Sequence, residues 1–182
     1  LSAITIQFSR SAPPTRRFAI YWSEWICRLT HSPFSHVDWV MPDGNLFGAS
    51  DSPDAPVLDG NPKGVAVRPP DYQAFAIRRN ATIGNVAAEK VAAFEQFLYQ
   101  QVGKHFDRAA LRPSVFLSFD YANRDWRTPD EWYCAELITR ALEVAGVVPW
   151  PILVVKNRVT AADLLLIINP LIDVEAFRRP VV

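Results

Sequence analysis

Cysteine is nearly absent: Cys27 and Cys134 are the only two in 182 residues. A disulfide scaffold is thereby excluded in practice, and a reducing compartment is the better expectation. Neither cysteine lies in a CxxC pair or a Cys/His cluster, so neither a structural zinc site nor any other metal or cofactor is expected. An excess of either charge is also missing, with 19 Lys and Arg against 19 Asp and Glu and a formal net charge of zero. That balance points away from a nucleic-acid partner and away from a disordered acidic or basic chain. No apolar run approaches the roughly 18 residues that span a bilayer, and the strongest, Leu164 to Ile168, reads as core, so no integral membrane segment is expected. Leu1 to Phe8 lacks the basic and long apolar regions of a signal peptide. The expected location is cytoplasmic or phage-associated, and the envelope if a leader has been removed from a chain that begins at Leu1.

What is present is a hydrophobic share of 49% in a length suited to a single domain over residues 1–182. Ile4 to Phe8 alternates as a short strand. Thr15 is placed to cap a helix carrying Phe18, Trp22, Trp25, Ile26 and Leu29 at helical spacing. His36 to Met41 and Leu46 to Ala49 flank Pro42-Asp43-Gly44-Asn45 and predict a hairpin. Asp51 to Pro62 has loop composition, and Gly64 to Arg68 and Ala74 to Arg78 add two strands to an antiparallel meander. Asn85 to Val102 predicts the clearest helix, with Val91, Phe94, Leu98 and Val102 on one face and Gly103 as its stop. Leu111 to Phe119 is apolar and open between helix and strand. A helix carrying Cys134 runs to about Ala145 and stops at Gly146. Ile152 to Val155 is a candidate strand, and Thr160 with Asp163 predicts a capping box for a helix to about Leu166. The fold class is therefore α+β, an antiparallel sheet packed against helices.

Cys134 and His36 are the chemically suggestive pair. A thiol near a helix N-terminus and an imidazole on a strand are the parts of a cysteine nucleophile, because the helix dipole and an imidazolium both favour thiolate. Each has a plainer reading as well. Cys134 falls in register with Leu137, Ile138, Ala141, Leu142 and Ala145, a buried stripe in which a cysteine serves as a small hydrophobe. Thr128-Pro129-Asp130-Glu131 reads as a capping box that would leave Cys134 in the second turn, and a catalytic role instead requires the helix to start nearer Trp132. His36 shares a strand face with Asp38 and Val40. Glu136 reads as a surface partner of Arg140 four residues on. Trp22, Trp25, Trp126 and Trp132 are candidates to line a glycan groove, but Trp22 and Trp25 sit at core spacing and are read as packing.

Three segments together resemble a known family. Thr30-His31-Ser32-Pro33-Phe34-Ser35-His36-Val37, Gly103-Lys104-His105-Phe106-Asp107 and Trp132-Tyr133-Cys134-Ala135-Glu136-Leu137 are similar, in that order, to segments of the circularly permuted NlpC-like, or YiiX-like, papain-fold cysteine peptidases. The resemblance spans residues 30 to 145, and in that family histidine precedes cysteine, as here. It implies a permuted papain-like fold with Cys134 as nucleophile, His36 as general base, and backbone N–H groups at the helix start, that of Cys134 included, around the oxyanion. Ala135 stands where the family has serine. The third residue, a polar side chain on the strand after the histidine, aligns with Gly48, which has none. Asp38, whose family counterpart is usually glycine, is the expected substitute, and Asp51 the fallback if a two-residue turn pairs position 36 with 51. The implied activity is cleavage of an amide or peptide bond, with peptide or peptidoglycan stem-peptide fragments as substrate. A lipid acyltransferase or thioesterase of the same fold and a non-catalytic binding or assembly module are the alternatives.

Overall fold

The computed structural model describes residues 2–12, 22–52, 55–109, 130–148 and 159–179. Its strands are β1 (Ser2–Ser11), β2 (His36–Val40), β3 (Leu46–Ala49), β4 (Asp59–Gly60), β5 (Val65–Arg68), β6 (Phe75–Val86), β7 (His105–Phe106) and β8 (Glu131–Trp132). The α-helices are α1 (Trp22–Thr30), α2 (Ala88–Tyr99), α3 (Cys134–Val144), α4 (Ala161–Ile168) and α5 (Val174–Arg178), with a 3-10 turn at Asn169–Leu171. Six strands form one sheet in the order β4-β5-β3-β2-β1-β6, antiparallel at every junction. The α+β class and the antiparallel sheet agree with the sequence reading. Thr15, Phe18, Trp126, the Leu111–Phe119 run and the Ile152–Val155 strand lie outside the described residues.

Period-two alternation divides this sheet into an apolar and a polar face. Ile4, Ile6 and Phe8 of β1 share one face with Val37 and Trp39 of β2, and all join the main core with Phe94 and Leu98 of α2 and Leu137, Ile138 and Leu142 of α3. Trp39 meets Phe94 edge to face at 5.5 Å, and Phe8, Phe34 and Phe177 form a trio with ring centroids 5.8 Å apart. The opposite face carries polar groups in direct register: Ser9 opposite His36, and Gln7 opposite Asp38.

The two-residue strands β4, β7 and β8 are not expected from the sequence, β4 lying in the segment read as loop, and β6 and the β2-β3 hairpin take their bounds and register for local reasons. β6 continues to Val86 and takes in Asn85, which the periodicity assigns to the following helix. Asn85 adopts a left-handed φ of 57° beside a register shift between Ser2 and Ile4, so it belongs to a bulge, a conformation asparagine tolerates. The helix then begins at Ala88 and buries Phe94 and Leu98 as its pattern predicts. In the β2-β3 hairpin, the N–H of Met41 donates to the carbonyl of Asn45 at 2.8 Å and Gly44 takes φ 86°, closing a three-residue loop. Trp39 therefore pairs with Phe47, and the same register sets Asp38 level with Gly48 and position 36 level with 50, not 51.

Among the described residues Arg68 is the largest fully buried side chain, at 0% exposure. Its guanidinium donates to the carbonyls of Gly48 (2.9 Å) and Gly64 (3.0 Å), tying β3 and the 61–64 loop to β5. Replacing it removes those buried hydrogen bonds and the cation beside Asp38, a loss of the kind that costs about 3–5 kcal/mol. Arg68→Met is expected to lower the unfolding free energy by about 3 kcal/mol, read from urea denaturation at neutral pH.

Candidate active site

The segment that resembles a family motif has a mechanical task in delivering His36. Thr30 Oγ1 donates back to the Ile26 carbonyl, and His31 turns left-handed at φ 50°, where α1 ends. The Ser32 N–H returns to the Cys27 carbonyl at 3.1 Å, and the Ser35 N–H bonds the Ser9 carbonyl at 3.0 Å, joining β2 to β1 one residue before His36. His31 is exposed in that turn. His105 is exposed too, on β7, with Nδ1 accepting from Asn61 Nδ2 at 3.2 Å.

His36 Nε2 lies 3.0 Å from both carboxylate oxygens of Asp38, which is 1% exposed. Asp38 approaches Gly48 so closely that a Cβ built on the glycine would sit 2.0 Å from Oδ1. The missing side chain at 48 is thus the space into which the Asp38 carboxylate fits. Asp51, the fallback, instead binds Arg108 at 2.5 Å, because the hairpin register carries it past His36.

Cys134 is the first residue of α3, following Tyr133 in extended conformation. This corrects the capping-box reading of Thr128-Pro129-Asp130-Glu131. Glu131 lies in β8, three residues before the helix, and pairs with His105 in a parallel ladder. That ladder, with Phe106 opposite Trp132 and the Asp107 N–H on the Trp132 carbonyl at 3.1 Å, fixes the chain two residues before the thiol. Trp132 itself packs on Phe97 and donates through Nε1 to Gln101, so it is a structural residue. Cys134 also keeps its place in the buried stripe with Leu137, Ile138, Ala141, Leu142 and Ala145. Glu136 is buried, and Arg140 pairs with Glu143 rather than with it, because the first turn of α3 faces inward.

The thiol and the imidazole are neighbours. Burial would push the His36 pKa down, but the Asp38 charge, then Cys134 as a charge, then hydrogen bonds to both, raise it to about 10. With Nε2 engaged by Asp38, Nδ1 is the nitrogen left to Cys134. Tyr72 and Arg68 complete the surroundings and were not legible in the sequence. The Tyr72 hydroxyl lies 3.0 Å from His36 Nε2 and donates to Asp38 Oδ2 at 3.2 Å. Burial and the Asp38 charge hold the phenol well above its ordinary value, against the opposing Arg68 cation 5.5 Å over its ring. Burial draws the Arg68 pKa down while Asp38 and Tyr72 push it up. An arginine closing the apolar run Val65-Ala66-Val67 is the one sequence signal for this, and a tyrosine after Pro69-Pro70-Asp71 gives none. Among the described residues no three His, Cys, Asp or Glu side chains converge as metal ligands, and no helix is long and apolar enough to cross a membrane. Compared with protein-family models and with curated proteins, the chain matches none.

Two outcomes follow from this geometry. The folded-state pKa of His36 lies above the unfolded value of 6.5, so its stabilisation is fully present below that pH and is lost as pH rises toward about 10. Unfolding free energy is expected to fall by about 1.4 kcal/mol per pH unit across that window, measured by denaturation at stepped pH, and to lose this slope in His36→Asn. Cys27, raised above its ordinary 9.0 by burial, adds to the decline only at the alkaline end. Gly48→Ala forces the buried Asp38 carboxylate aside and is expected to destabilise the fold by about 1–3 kcal/mol, with the same denaturation assay as its check and a weakened pH slope as its signature.

Proposed function

We propose that this protein is a cysteine hydrolase of permuted papain-like architecture, resembling the NlpC-like peptidases, with Cys134 as nucleophile, His36 as general acid–base and Asp38 as the orienting carboxylate. The observation that carries the reading is His36 bonded through Nε2 to Asp38, with Cys134, at the first position of α3, near enough to help raise the imidazole's pKa. In the reaction, the Cys134 sulfur attacks the carbonyl carbon of an amide as its proton resides on His36 Nδ1. Collapse of the tetrahedral adduct breaks the C–N bond, and Nδ1 returns the proton to the leaving amine. Water, deprotonated by the same nitrogen, then hydrolyses the thioester and regenerates the thiol.

The helix start supports the oxyanion role. Tyr133 supplies no side-chain cap, and the first intrahelical bond is that of the Leu137 N–H to the Tyr133 carbonyl at 3.1 Å. The N–H groups of Cys134, Ala135 and Glu136 therefore precede the helical ladder, where donors suited to a developing negative charge are found. The substrate class, a peptide or peptidoglycan stem peptide, comes from the family resemblance. Gly48 offers the imidazole no orienting side chain, which favours a non-catalytic module, and the contact of Asp38 with His36 weighs toward the hydrolase.

Iodoacetamide labelling near neutral pH, with peptide mapping of the two cysteines, tests the reading. Cys134 is expected to react at least about tenfold faster than Cys27, and His36→Ala to abolish the difference. Equal rates for both thiols in the native protein would sink the hydrolase assignment. Release of free amine from a stem peptide, against transfer of an acyl chain from a lipid ester, separates peptidase from acyltransferase.

A further inference from the structure

The hydrogen bonds around Tyr72 have a definite sense. A phenol oxygen carries one proton and two lone pairs. Gln73 Nε2 donates to it at 3.2 Å, and Ser11 Oγ donates to Gln73 Oε1 at 3.2 Å, an arrangement that turns the amide's donor end toward the phenol. A carboxylate only accepts, so the phenol proton goes to Asp38 Oδ2. The remaining contact, 3.0 Å to His36 Nε2, is then one in which the phenol oxygen accepts, and Nε2 must carry a proton. The Asp38 oxygens, both 3.0 Å from the same nitrogen, make the same demand.

The carboxylate is confined as well. Oδ1 occupies the space beside Gly48, and Oδ2 takes the Tyr72 proton, so rotation of the carboxylate away from the ring breaks one contact or meets the backbone of β3. The Tyr72 ring is 4% exposed, set edge to face on Phe75 at 5.6 Å and beneath the Arg68 guanidinium, which keeps the hydroxyl in place independently of the bond it makes.

We propose that Tyr72, held by Gln73, is a positioning residue that locks His36 with its proton on Nε2 and so dedicates Nδ1 to proton exchange with Cys134. The consequence at Cys134 rests on the hydrolase reading above, whereas the protonation of Nε2 does not. The role of Tyr72 passes through the imidazole and the carboxylate, which it contacts directly.

Tyr72→Phe keeps the ring, its edge-to-face contact with Phe75 and its place under Arg68, and deletes only the hydroxyl. In protein labelled with nitrogen-15 histidine, the His36 Nε2–H signal of the native chain is expected to exchange slowly with water. In Tyr72→Phe that exchange is expected to quicken, and iodoacetamide alkylation of Cys134 to slow, each by about tenfold, the worth of one hydrogen bond. Cys27 alkylation should stay unchanged, which a general loosening of the fold would not allow. Native rates for both readouts in Tyr72→Phe overturn the proposal. Should that variant lose cooperative melting, Gln73→Leu, which removes the donor to the phenol together with the acceptor of the part-buried Ser11 hydroxyl, carries the same test in the same direction. If Cys134 in the native chain reacts no faster than Cys27, the hydrolase reading fails and the Nε2–H exchange alone decides the role of Tyr72.

Discussion

Asp38 is an acidic side chain with 1% of its surface exposed, and taking a carboxylate out of water costs several kcal/mol unless its oxygens are matched. Much of the polar face of the sheet answers that demand. His36 binds both oxygens, Tyr72 donates to one, Gly48 has no Cβ and leaves room for the other, and Arg68 contributes a second buried cation. Arg68 carries its own desolvation cost, offset by bonds to buried backbone carbonyls, those of Gly48 and Gly64 foremost. The buried groups are therefore mutually dependent. Removing any one exposes the uncompensated charge of another, which is why such a cluster is either kept whole or lost together.

The cysteine reaches this cluster by a separate route. β2 is positioned by the central pairing with β1, but Cys134 is positioned by the short parallel ladder between β7 and β8. The isolated bridge between Gly64 and His105 and the Phe106 N–H on the Lys63 carbonyl attach that ladder to the 61–64 loop. Arg68 holds the same loop from inside. The side chain that compensates the Asp38 charge thus also braces the backbone that carries the thiol. A loss at Arg68 is expressed at both ends of the site.

The elements with strong periodicity were legible from the residues alone. Phe94 and Leu98 mark the buried face of α2, the Thr160–Asp163 box begins α4 as its spacing indicates, and β2, β3 and β5 stand where alternation puts them, whereas β4 falls in a segment of loop composition. Asp38 as the neighbour of His36 was also legible, since residues two apart on a strand share a face whatever the tertiary fold. The capping box before Cys134 misled because a Thr-Pro-Asp-Glu sequence is a local signal, and the pairing of Glu131 with His105 across 26 positions overrides it. Glu136 was assigned to solvent because its partner was sought within the helix, when the first turn of α3 is buried by elements distant in sequence. Tyr72 and Gln73 act through contacts set by the tertiary fold, of which a single sequence carries no sign, and Arg68 shows only as an arginine closing an apolar run.

Placing the orienting carboxylate on the histidine's own strand has a consequence that a cross-strand partner lacks. A residue on β3 faces His36 only while the hairpin keeps its register, because a slip of one residue turns every β3 side chain to the other face. Asp38 stays on the His36 face through any such slip, since the pleat of β2 alone sets their relation. The constraint moves instead to the space opposite. The position level with Asp38 must be glycine, and the three-residue loop closed by Met41 and Asn45 is what brings Gly48, rather than Phe47 or Ala49, to that level. Register is therefore specified here through steric room, and the hairpin loop acts on the imidazole by deciding whether a Cβ stands against its carboxylate.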